Sequence, residues 1–481
     1  MIKSQKYLKS IAKGVLVLMM VISLGWGAMA VPVSAADVSI SQLIELFISL
    51  GIIAPEKAAA ARSAAGVSSP AVTLITPNTI QDIDFQVMKQ PSQTVKVSRC
   101  QNISKPGNYI LTGNIKNDSG KPCITISDVK NVTFDCKGKT IQSTAENFAI
   151  LVKNSSDFIV QNCSVLSSVN VTSINPAQHM FRLENSSKGN VNNNTIGGTY
   201  STISSSTEIE FKSNTVSATT FQIFQSNFVN IISNKFSAAI VNTGAVVQFK
   251  EGINNKFIGN SVDGKSDGIR HGNSAPPNIG PDDVVVLDNQ NSINVSNNNI
   301  RNSWECGIES VGFLNDSTIA NNKIDNVALA GICGWHWLNF SENTISNNTI
   351  TNSPSLFVYF RDYDLRPGES QMKFINNYFD SNKLITQRMD GLREQGYSSS
   401  IRVYAPPGKG GGFEFSNFTD EQVVTGNNVF KNNDFGLFLK APILFPASMF
   451  VDGGGNICSS SSEINYPIKC ETDKFLKPVI N

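Results

Sequence analysis

A short phrase recurs along this chain and constrains its fold more than any other feature: an asparagine, any residue, and then Ile, Val or Phe. The phrase begins at Asn194, Asn214, Asn234, Asn260, Asn298, Asn322, Asn348, Asn377 and Asn428. Most steps are 20 to 29 residues, and two longer ones run from 260 to 298 and from 377 to 428. A period of this length is typical of a solenoid in which each repeat forms one coil.

The segments between the phrases are short and rich in β-branched and aromatic residues, which favours strands over amphipathic helices. The sequence therefore predicts an all-β chain folded as a right-handed parallel β-helix. We expect the repeated asparagines to sit inside a turn and to hydrogen-bond from coil to coil. Such a fold offers long flat faces, which suit extended polymers better than small molecules.

Composition excludes several classes of protein. Lys and Arg number 39 against 38 Asp and Glu, so no basic surplus supports nucleic-acid binding. Hydrophobic residues make up 40% of the chain and include 28 Phe, which is enough for a core and excludes a disordered chain. With three His and no CxxC pair, a zinc site is not expected. We expect a monomer without a cofactor.

The first residues predict export. Lys3, Lys6, Lys9 and Lys13 precede an apolar run at 15–24, and small residues follow it, as in a signal peptide. The alternative is an uncleaved anchor, because the apolar run approaches the length that spans a bilayer. A membrane partner is expected only in that case. Both interpretations place the body of the protein outside the cytoplasm, as a secreted or cell-surface bacterial protein.

The eight cysteines all lie in the exported part of the chain, and an even count there favours disulfides. Sequential pairing is the simplest arrangement in a solenoid, because cysteines about one coil apart stack on neighbouring strands. The predicted pairs are Cys100–Cys123, Cys136–Cys163, Cys306–Cys333 and Cys458–Cys470.

The chain divides on composition into five parts. We predict a signal peptide (1–36), a small helical module (37–66), a linker and lead-in (67–94), the β-helix (95–440) and a C-terminal cap (441–481). Gly51 and Pro55 separate two short helices within the helical module. Its role does not follow from the sequence.

A second strand follows each Asn phrase and is often marked by Gly-Ile, which sets a register. The predicted inward positions are Leu183, Ile223, Val247, Ile269, Ile308, Ile332, Val358 and Leu437. Because strands alternate sides, the next residues point outward: Glu184, Phe224, Gln248, Arg270, Glu309, Cys333, Tyr359 and Phe438. Two residues further on, also outward, are Lys250, Trp335, Arg361 and Lys440. Two long loops, 272–291 and 381–421, are expected to flank this face.

Three kinds of chemistry fit these outward residues. β-Elimination on a uronate polymer needs a cation and a base, which Lys250 and Arg270 supply. Inverting glycoside hydrolysis needs two carboxylates, and Glu309 with Asp267 or Asp362 is the candidate pair. Binding without catalysis needs aromatic rings and hydrogen-bonding groups. The candidate substrate-binding residues are His271, Trp335, His336, Tyr359, Arg361 and Asp362.

Two resemblances to known families support these expectations. The stretch 104–112, followed by 123–126 and 131–135, is similar to the opening of secreted bacterial β-helix proteins of the pectin-lyase-like superfamily. Lys250, Asn260 and the sequence Arg270-His271-Gly272-Asn273 resemble a short stretch of the chondroitin/alginate lyase family, which implies β-elimination. That family places acidic calcium ligands shortly before the Lys, whereas no acid occurs here between 236 and 249. A calcium site is therefore not supported.

The sequence thus predicts an extracellular protein that engages a polysaccharide. A polysaccharide lyase is the leading enzyme class. A non-catalytic surface adhesin or glycan-binding protein and an inverting glycoside hydrolase are the alternatives.

Overall fold

The computed structural model has two compact units, Met1–Gln86 and Val87–Asn481. Within the second, the structure describes residues 94–143, 148–167, 179–198, 200–218, 220–238, 245–265, 283–353, 355–360, 372–385, 413–416, 423–437 and 450–459. At 179, 335–338, 358–360, 372, 413–416, 423–425, 436–437, 450 and 458–459 the description covers the backbone only. The predicted signal peptide and helical module lie outside the described residues.

The described regular structure consists of β-strands arranged in three sheets. Sheet 1 contains, in spatial order, β2 (Gln101–Ile103), β5 (Ile124–Ser127), β8 (Ile150–Lys153), β11 (His179–Glu184), β14 (Tyr200–Ser204), β17 (Thr220–Phe224), β20 (Ala245–Ile253), β23 (Asp283–Asn291), β26 (Cys306–Asn315), β29 (Ala330–Ser341), β32 (Ser355–Phe360) and β36 (Phe413–Ser416). Two further strands, β33 (Met372–Ile375) and β37 (Val423–Gly426), extend it from β29.

Sheet 2 contains β1 (Thr94–Val97), β3 (Gly107–Leu111), β6 (Lys130–Asp135), β9 (Ser156–Gln161), β12 (Ser187–Asn192), β15 (Thr207–Lys212), β18 (Asn227–Ile232), β21 (Lys256–Ile258), β24 (Asn294–Ser296), β27 (Thr318–Ala320), β30 (Thr344–Ser346), β34 (Tyr378–Asp380), β38 (Asn428–Lys431) and β40 (Phe450–Asp452). Sheet 3 contains β4 (Ile115–Asn117), β7 (Thr140–Ser143), β10 (Ser164–Ser167), β13 (Thr195–Gly197), β16 (Thr215–Ala218), β19 (Lys235–Ala238), β22 (Ser261–Asp263), β25 (Asn299–Ser303), β28 (Lys323–Val327), β31 (Thr349–Thr351), β35 (Lys383–Leu384), β39 (Asp434–Leu437) and β41 (Ile457–Ser459).

Each coil passes through sheets 1, 2 and 3 in turn, and neighbouring coils pair in parallel. Ile196 pairs with Val216 and Val216 with Phe236, so equivalent positions of successive coils stack in register. We call such a stack a column. The predicted parallel β-helix is confirmed, because a strand of one coil has its equivalents in the next coils as its neighbours.

The apolar residue of the Asn phrase fills the interior. On sheet 3 it forms a column in which every side chain is at most 3% exposed: Ile196, Val216, Phe236, Val262, Ile300, Ile324 and Ile350. On sheet 2 the interior column becomes aromatic towards the carboxyl end, where the rings of Phe379 and Phe430 stack with centroids 4.7 Å apart. The core is therefore a set of parallel apolar columns.

Asparagines form a continuous buried ladder at the corner between sheets 2 and 3. Its members are Asn194, Asn214, Asn234, Asn260, Asn298, Asn322, Asn348, Asn382, Asn433 and Asn456. Asn298 shows the pattern: its Nδ2 donates to Asn322 Oδ1 (2.9 Å) and to the carbonyl of Phe257 (2.8 Å). Its Oδ1 accepts from the backbone N–H and the Nδ2 of Asn260. The ladder satisfies polar groups that the turn buries.

The phrase at Asn377 and Asn428 belongs to a different corner, which corrects the single column expected from the sequence. These two residues hydrogen-bond to each other between sheets 1 and 2, with Asn377 Nδ2 donating to Asn428 Oδ1 at 2.8 Å. The first ladder continues instead through Asn382 and Asn433. Both corners contain a residue with φ near +55° immediately before the Asn, for example Asn376 and Ser381. The same local phrase therefore serves both turns.

Three predicted disulfides are confirmed: Cys100–Cys123, Cys136–Cys163 and Cys306–Cys333. Cys136 and Cys163 have Cα atoms 4.8 Å apart, so they stack on neighbouring coils. The N–H of Cys163 donates to Asn194 Oδ1, which places this disulfide at the start of the asparagine ladder. The predicted fourth pair stays a prediction, because Cys470 lies outside the described residues.

A buried carboxylate joins two coils beside that disulfide. Asp135 accepts hydrogen bonds from the Lys137 backbone N–H (2.8 Å), Gln161 Nε2 (3.1 Å) and Asn162 Nδ2 (3.0 Å). Burial by itself raises the pKa of Asp135, but these bonds, with the Lys137 ammonium, bring that pKa below its ordinary value of 3.8. The ionised form is therefore the one that the folded state favours.

We predict that Asn298→Ala destabilises the protein by at least about 3 kcal/mol, because buried donors and acceptors on the two neighbouring coils lose partners. Asn299→Ala, at the neighbouring exposed position, is the matched control and should change the free energy of unfolding by less than about 0.5 kcal/mol. Urea unfolding of both variants measures the difference. Equal stability of the two would mean that the ladder does not stabilise the solenoid.

We also predict a specific pH dependence from Asp135. Its folded-state pKa is depressed, so its stabilising contribution is complete above its ordinary value of 3.8 and is lost as the pH falls through the lowered folded value. Asp135→Asn should be less stable at neutral pH and should lose less stability below pH 3.8 than the unsubstituted protein. Thermal unfolding across this pH range tests it, and parallel pH profiles would contradict it.

Candidate functional site

The outer face of sheet 1, here called the sheet 1 face, carries two columns of outward side chains, many of which can form hydrogen bonds. One outward column contains Thr125, Leu151, Arg182, Thr202, Gln222, Gln248, Val286, Glu309 and Cys333. A second, two residues further along each strand, contains Ser127, Lys153, Glu184, Ser204, Phe224, Lys250, Asp288 and Val311. Inward residues such as Phe249 separate them and are fully buried.

A shallow groove of about 370 Å³ lies across three coils of this face. Most of the residues that line it are uncharged and polar, and Phe224 is the one aromatic residue among them. The lining residues are Arg182, Glu184, Asn185, Thr202, Ser204, Ser205, Gln222 and Phe224. Because the strands β11, β14 and β17 hold these side chains, the groove has a rigid floor.

A hydrogen bond between two glutamine side chains connects this groove with the next coil. Gln222 Nε2 donates to Gln248 Oε1 at 2.9 Å, which fixes both amide groups side by side on the sheet 1 face. Each amide carries two donors and one acceptor oxygen. This single bond therefore leaves further donors and acceptors on both side chains for hydroxyl groups of a ligand.

Charges on the face occur as neighbouring opposite pairs. Arg182 Nε lies 2.7 Å from Glu184 Oε2, and the Arg182 guanidinium also stacks over the Phe148 ring at 5.2 Å. Lys250 Nζ lies 3.9 Å from Asp288 Oδ2 on the next coil. The cations are thus compensated by carboxylates of the same face.

A second groove of about 450 Å³ continues along the corner towards the carboxyl end. It has an apolar floor and a polar rim: Gln225, Asn227, Glu251, Gly252, Ile253, Asn289 and Phe313. Gln225 Nε2 donates to Glu251 Oε2 at 2.8 Å on its rim, and Ile253 is 46% exposed. Phe224 lines the first groove and Gln225 the second, so the two grooves are neighbours on the solenoid.

Two of the predicted catalytic residues are described. Lys250 lies on the sheet 1 face, in the column of Phe224 and Asp288, and its side chain is half-exposed. Glu309 is buried and lies in the column of Gln248, between Val286 and Cys333. The structure places them on the same face, two coils apart, which is about 10 Å along the solenoid.

The register assigned to Arg270 is wrong. The strand that follows β20 in sheet 1 is β23, and its Val286 occupies the position next to Gln248 that the sequence analysis gave to Arg270. The long step of this coil is inserted before the strand, between β22 and β23, whereas the prediction placed it after the strand. Arg270 and His271 fall in 266–282, outside the described residues, so their roles stay predictions.

The register of Tyr359 is also one residue off. Val358 pairs with Cys333, and Tyr359 pairs with Gly334, so Phe357 is the inward residue where the sequence analysis chose Val358. Three consecutive apolar residues, 356–358, made the inward one ambiguous. Phe357 is fully buried.

The remaining predicted site residues are known only in part. Trp335 pairs with Val311 and therefore continues the column of Lys250, as predicted, while His336 lies beside it on β29. For both residues the description covers the backbone alone. Arg361 and Asp362 lie outside the described residues, and the binding roles of all four stay predictions.

Sequence analysis missed three residues of the face: Arg182, Gln222 and Asp288. In the structure Leu183 and Ile223 stack in one column with Phe249, whereas the predicted register aligned them with Val247. Val247 and Phe249 are two residues apart and point to the same side of the strand. The predicted outward side of the strand is therefore unchanged. Counting ten residues back from Asn298 would have located Asp288, since Asn260 follows Lys250 by the same interval.

Neither a metal centre nor a membrane span is evident within the described ranges. In those ranges, no cluster of three or more His, Cys, Asp or Glu side chains is arranged to hold a metal ion. They likewise contain no helix with the length and hydrophobicity that a bilayer crossing requires.

Comparison with known proteins identifies the architecture. Residues 283–464 match the family model described as a right handed beta helix region. Among curated proteins, none matches the sequence of this chain at a significant level.

Several solved structures are similar at low identity. A surface adhesin of Streptococcus pneumoniae, PfbA, is 14% identical, with 64% of this chain and 77% of that chain covered and a TM-score of 0.43. The A-module of a mannuronan C-5 epimerase from Azotobacter vinelandii is 11% identical, with 75% and 91% covered and a TM-score of 0.37. DFA-IIIase from Arthrobacter chlorophenolicus is 10% identical, with 75% and 88% covered and a TM-score of 0.41. None of them transfers an activity or a ligand to this chain.

Proposed function

We propose that this right-handed parallel β-helix protein binds an extended polysaccharide outside the cytoplasm, along the sheet 1 face. The observation that carries the proposal is the pair of neighbouring grooves, the first on that face and the second along its corner with sheet 2. They extend over six neighbouring strands, from β11 to β26. Five steps of about 4.8 Å make this a track of about 24 Å, which is long enough for several sugar units.

The chemistry of the track suits sugars. Sugar rings present hydroxyl groups, which donate and accept hydrogen bonds, and apolar C–H faces, which pack on aromatic rings. Gln222 and Gln248 offer amide donors and acceptors, and Thr202 and Ser204 add hydroxyl groups. Phe224 and Phe313 supply rings in the first and second groove.

The rigidity of the track supports binding without a large ordering cost. The polar side chains project from strands that are hydrogen-bonded on both sides, and the Gln222–Gln248 bond fixes two of them. A preformed site loses less conformational entropy when it binds. The three disulfides support a location outside the cytoplasm, because disulfides persist in oxidising compartments.

We predict that Gln222→Ala combined with Gln248→Ala weakens polysaccharide binding at least about tenfold, which corresponds to about 1.4 kcal/mol. Phe224→Ala should weaken it by a similar factor, because the ring loses its stacking contact. Affinity gel electrophoresis against a panel of soluble polysaccharides measures these changes.

Gln142→Ala is the matched control for the glutamine variants. Gln142 lies on β7 in sheet 3, on another face of the solenoid, and it is partly exposed. The control should leave binding unchanged. Equal binding by the control and the glutamine variants, or no binding of any polysaccharide by the unsubstituted protein, would refute the proposed function.

Cleavage of the bound polymer is a second candidate function, favoured by two carboxylates on the track. Asp288 pairs with Val311, and Glu309 lies two residues before Val311 on the same face. Strand spacing and rise place their Cα atoms about 8 Å apart. From this Cα separation the two carboxyl groups can reach the distance of about 6.5–9.5 Å from each other that an inverting glycoside hydrolase uses for its acid and base. Asp288 thereby replaces Asp267 and Asp362 as the proposed partner of Glu309.

A cleavage assay separates the catalytic alternatives. Hydrolysis releases reducing ends and should be lost in Glu309→Gln and Asp288→Asn. β-Elimination by Lys250 and Arg270 would instead create an unsaturated uronate that absorbs ultraviolet light, and Lys250→Ala should abolish it. Binding that persists with neither product would identify a non-catalytic glycan-binding protein or adhesin.

A further inference from the structure

We infer that the polysaccharide bound on the sheet 1 face is an uncharged polymer. The inference rests on the proposed function and specifies its ligand. Its basis is the arrangement of charge on the face, which pairs Arg182 and Lys250 with carboxylates and leaves an uncharged stretch between these two pairs.

The cations of the two outward columns are Lys153, Arg182 and Lys250, and each lies next to a carboxylate. Glu184 contacts Arg182 at 2.7 Å and is the register neighbour of Lys153. Asp288 contacts Lys250 at 3.9 Å. A surface that binds polyuronates would need cations available to successive carboxylates of the ligand, whereas Arg182 and Lys250 are already paired with carboxylates of the face.

The stretch between these pairs is neutral. It consists of polar and aromatic side chains from three neighbouring coils: Thr202, Ser204, Gln222, Phe224 and Gln248. Hydroxyl and amide groups hydrogen-bond to sugar hydroxyls without a charge on either side. The centre of the track therefore recognises groups that every neutral hexose polymer carries.

The energetics of an acidic ligand point the same way. To reach Arg182 or Lys250, a uronate carboxylate would have to displace Glu184 or Asp288, or approach to within a few ångströms of it. Displacement exchanges one ion pair for another with little gain, and approach without displacement is repelled. A neutral polymer meets neither cost.

The experiment compares uncharged and acidic polymers on the full-length protein. The uncharged probes are a soluble β-glucan and a galactomannan, and the acidic probes are alginate and polygalacturonate. We expect the unsubstituted protein to bind an uncharged polymer, with a Kd that changes less than about twofold between about 0.05 and 0.5 M salt, since no ligand charge is screened. Weaker or no binding is expected for both polyuronates.

Neutralising the two carboxylates should leave uncompensated positive charge on the face. Glu184→Gln combined with Asp288→Asn leaves Arg182 and Lys250 uncompensated on the face. We expect this variant to gain at least about tenfold in affinity for alginate at low salt and to lose the gain at high salt. Glu208→Gln combined with Asp118→Asn makes the same charge change on other parts of the solenoid and should gain nothing.

Two results would overturn the inference, and they differ in what they mean for the proposed function. If the unsubstituted protein binds a polyuronate more tightly than either neutral polymer, and Arg182→Ala or Lys250→Ala abolishes that binding, the ligand is acidic and the proposed function stands. If the protein binds none of the four polymers, the proposed function fails and the inference fails with it.

Discussion

The hydrogen bond from one asparagine side chain to the next coil's asparagine is the interaction on which the solenoid depends. A turn that follows a residue of positive φ buries backbone N–H and C=O groups, and the ladder asparagine side chains bond to such groups of the preceding coil and to the asparagine of the next coil. Asn298 makes these bonds with Asn260, Asn322 and Phe257. Because the amide must meet an identical amide one coil away, the ladder fixes how each coil lies on the previous one. The apolar columns of the core then follow in register.

Fixed register is also what assembles the sheet 1 face. Gln222 and Gln248 are 26 residues apart in sequence, yet their amides bond at 2.9 Å because Asn214, Asn234 and Asn260 hold their coils in line. The face therefore inherits the spacing of the strands, and a ligand with a repeating structure meets repeated groups. Asp288 belongs to the same column as Lys250, so stacking brings this pair together, whereas Glu184 lies two residues after Arg182 on the same strand.

Much of the fold could be predicted from the sequence, because the Asn phrase is a local signal for a local turn. The same locality explains the errors. Asn377 was assigned to the wrong corner because both corners use the same turn, and Arg270 was assigned to a strand because an insertion can lie on either side of it. Tyr359 was displaced by one position because three apolar residues in succession do not reveal which is inside. Of the site, Lys250 and Glu309 were placed on the correct face and Cys333 was placed correctly beside Glu309, but the neighbours Asp288 and Val286 were missed.

The sequence by itself determined the repeat, the all-β class, the turns and three of the cystine pairs, because each depends on residue types at a regular interval. Only the tertiary structure decided which residues of different coils meet. The pairing of Lys250 with Asp288 and of Gln222 with Gln248 depends on how many residues each coil inserts between its strands. Coil length varies without a local signal, since loops outside the stacked strands tolerate insertion at little cost in free energy. The contacts between coils on this face could therefore not be read along the chain.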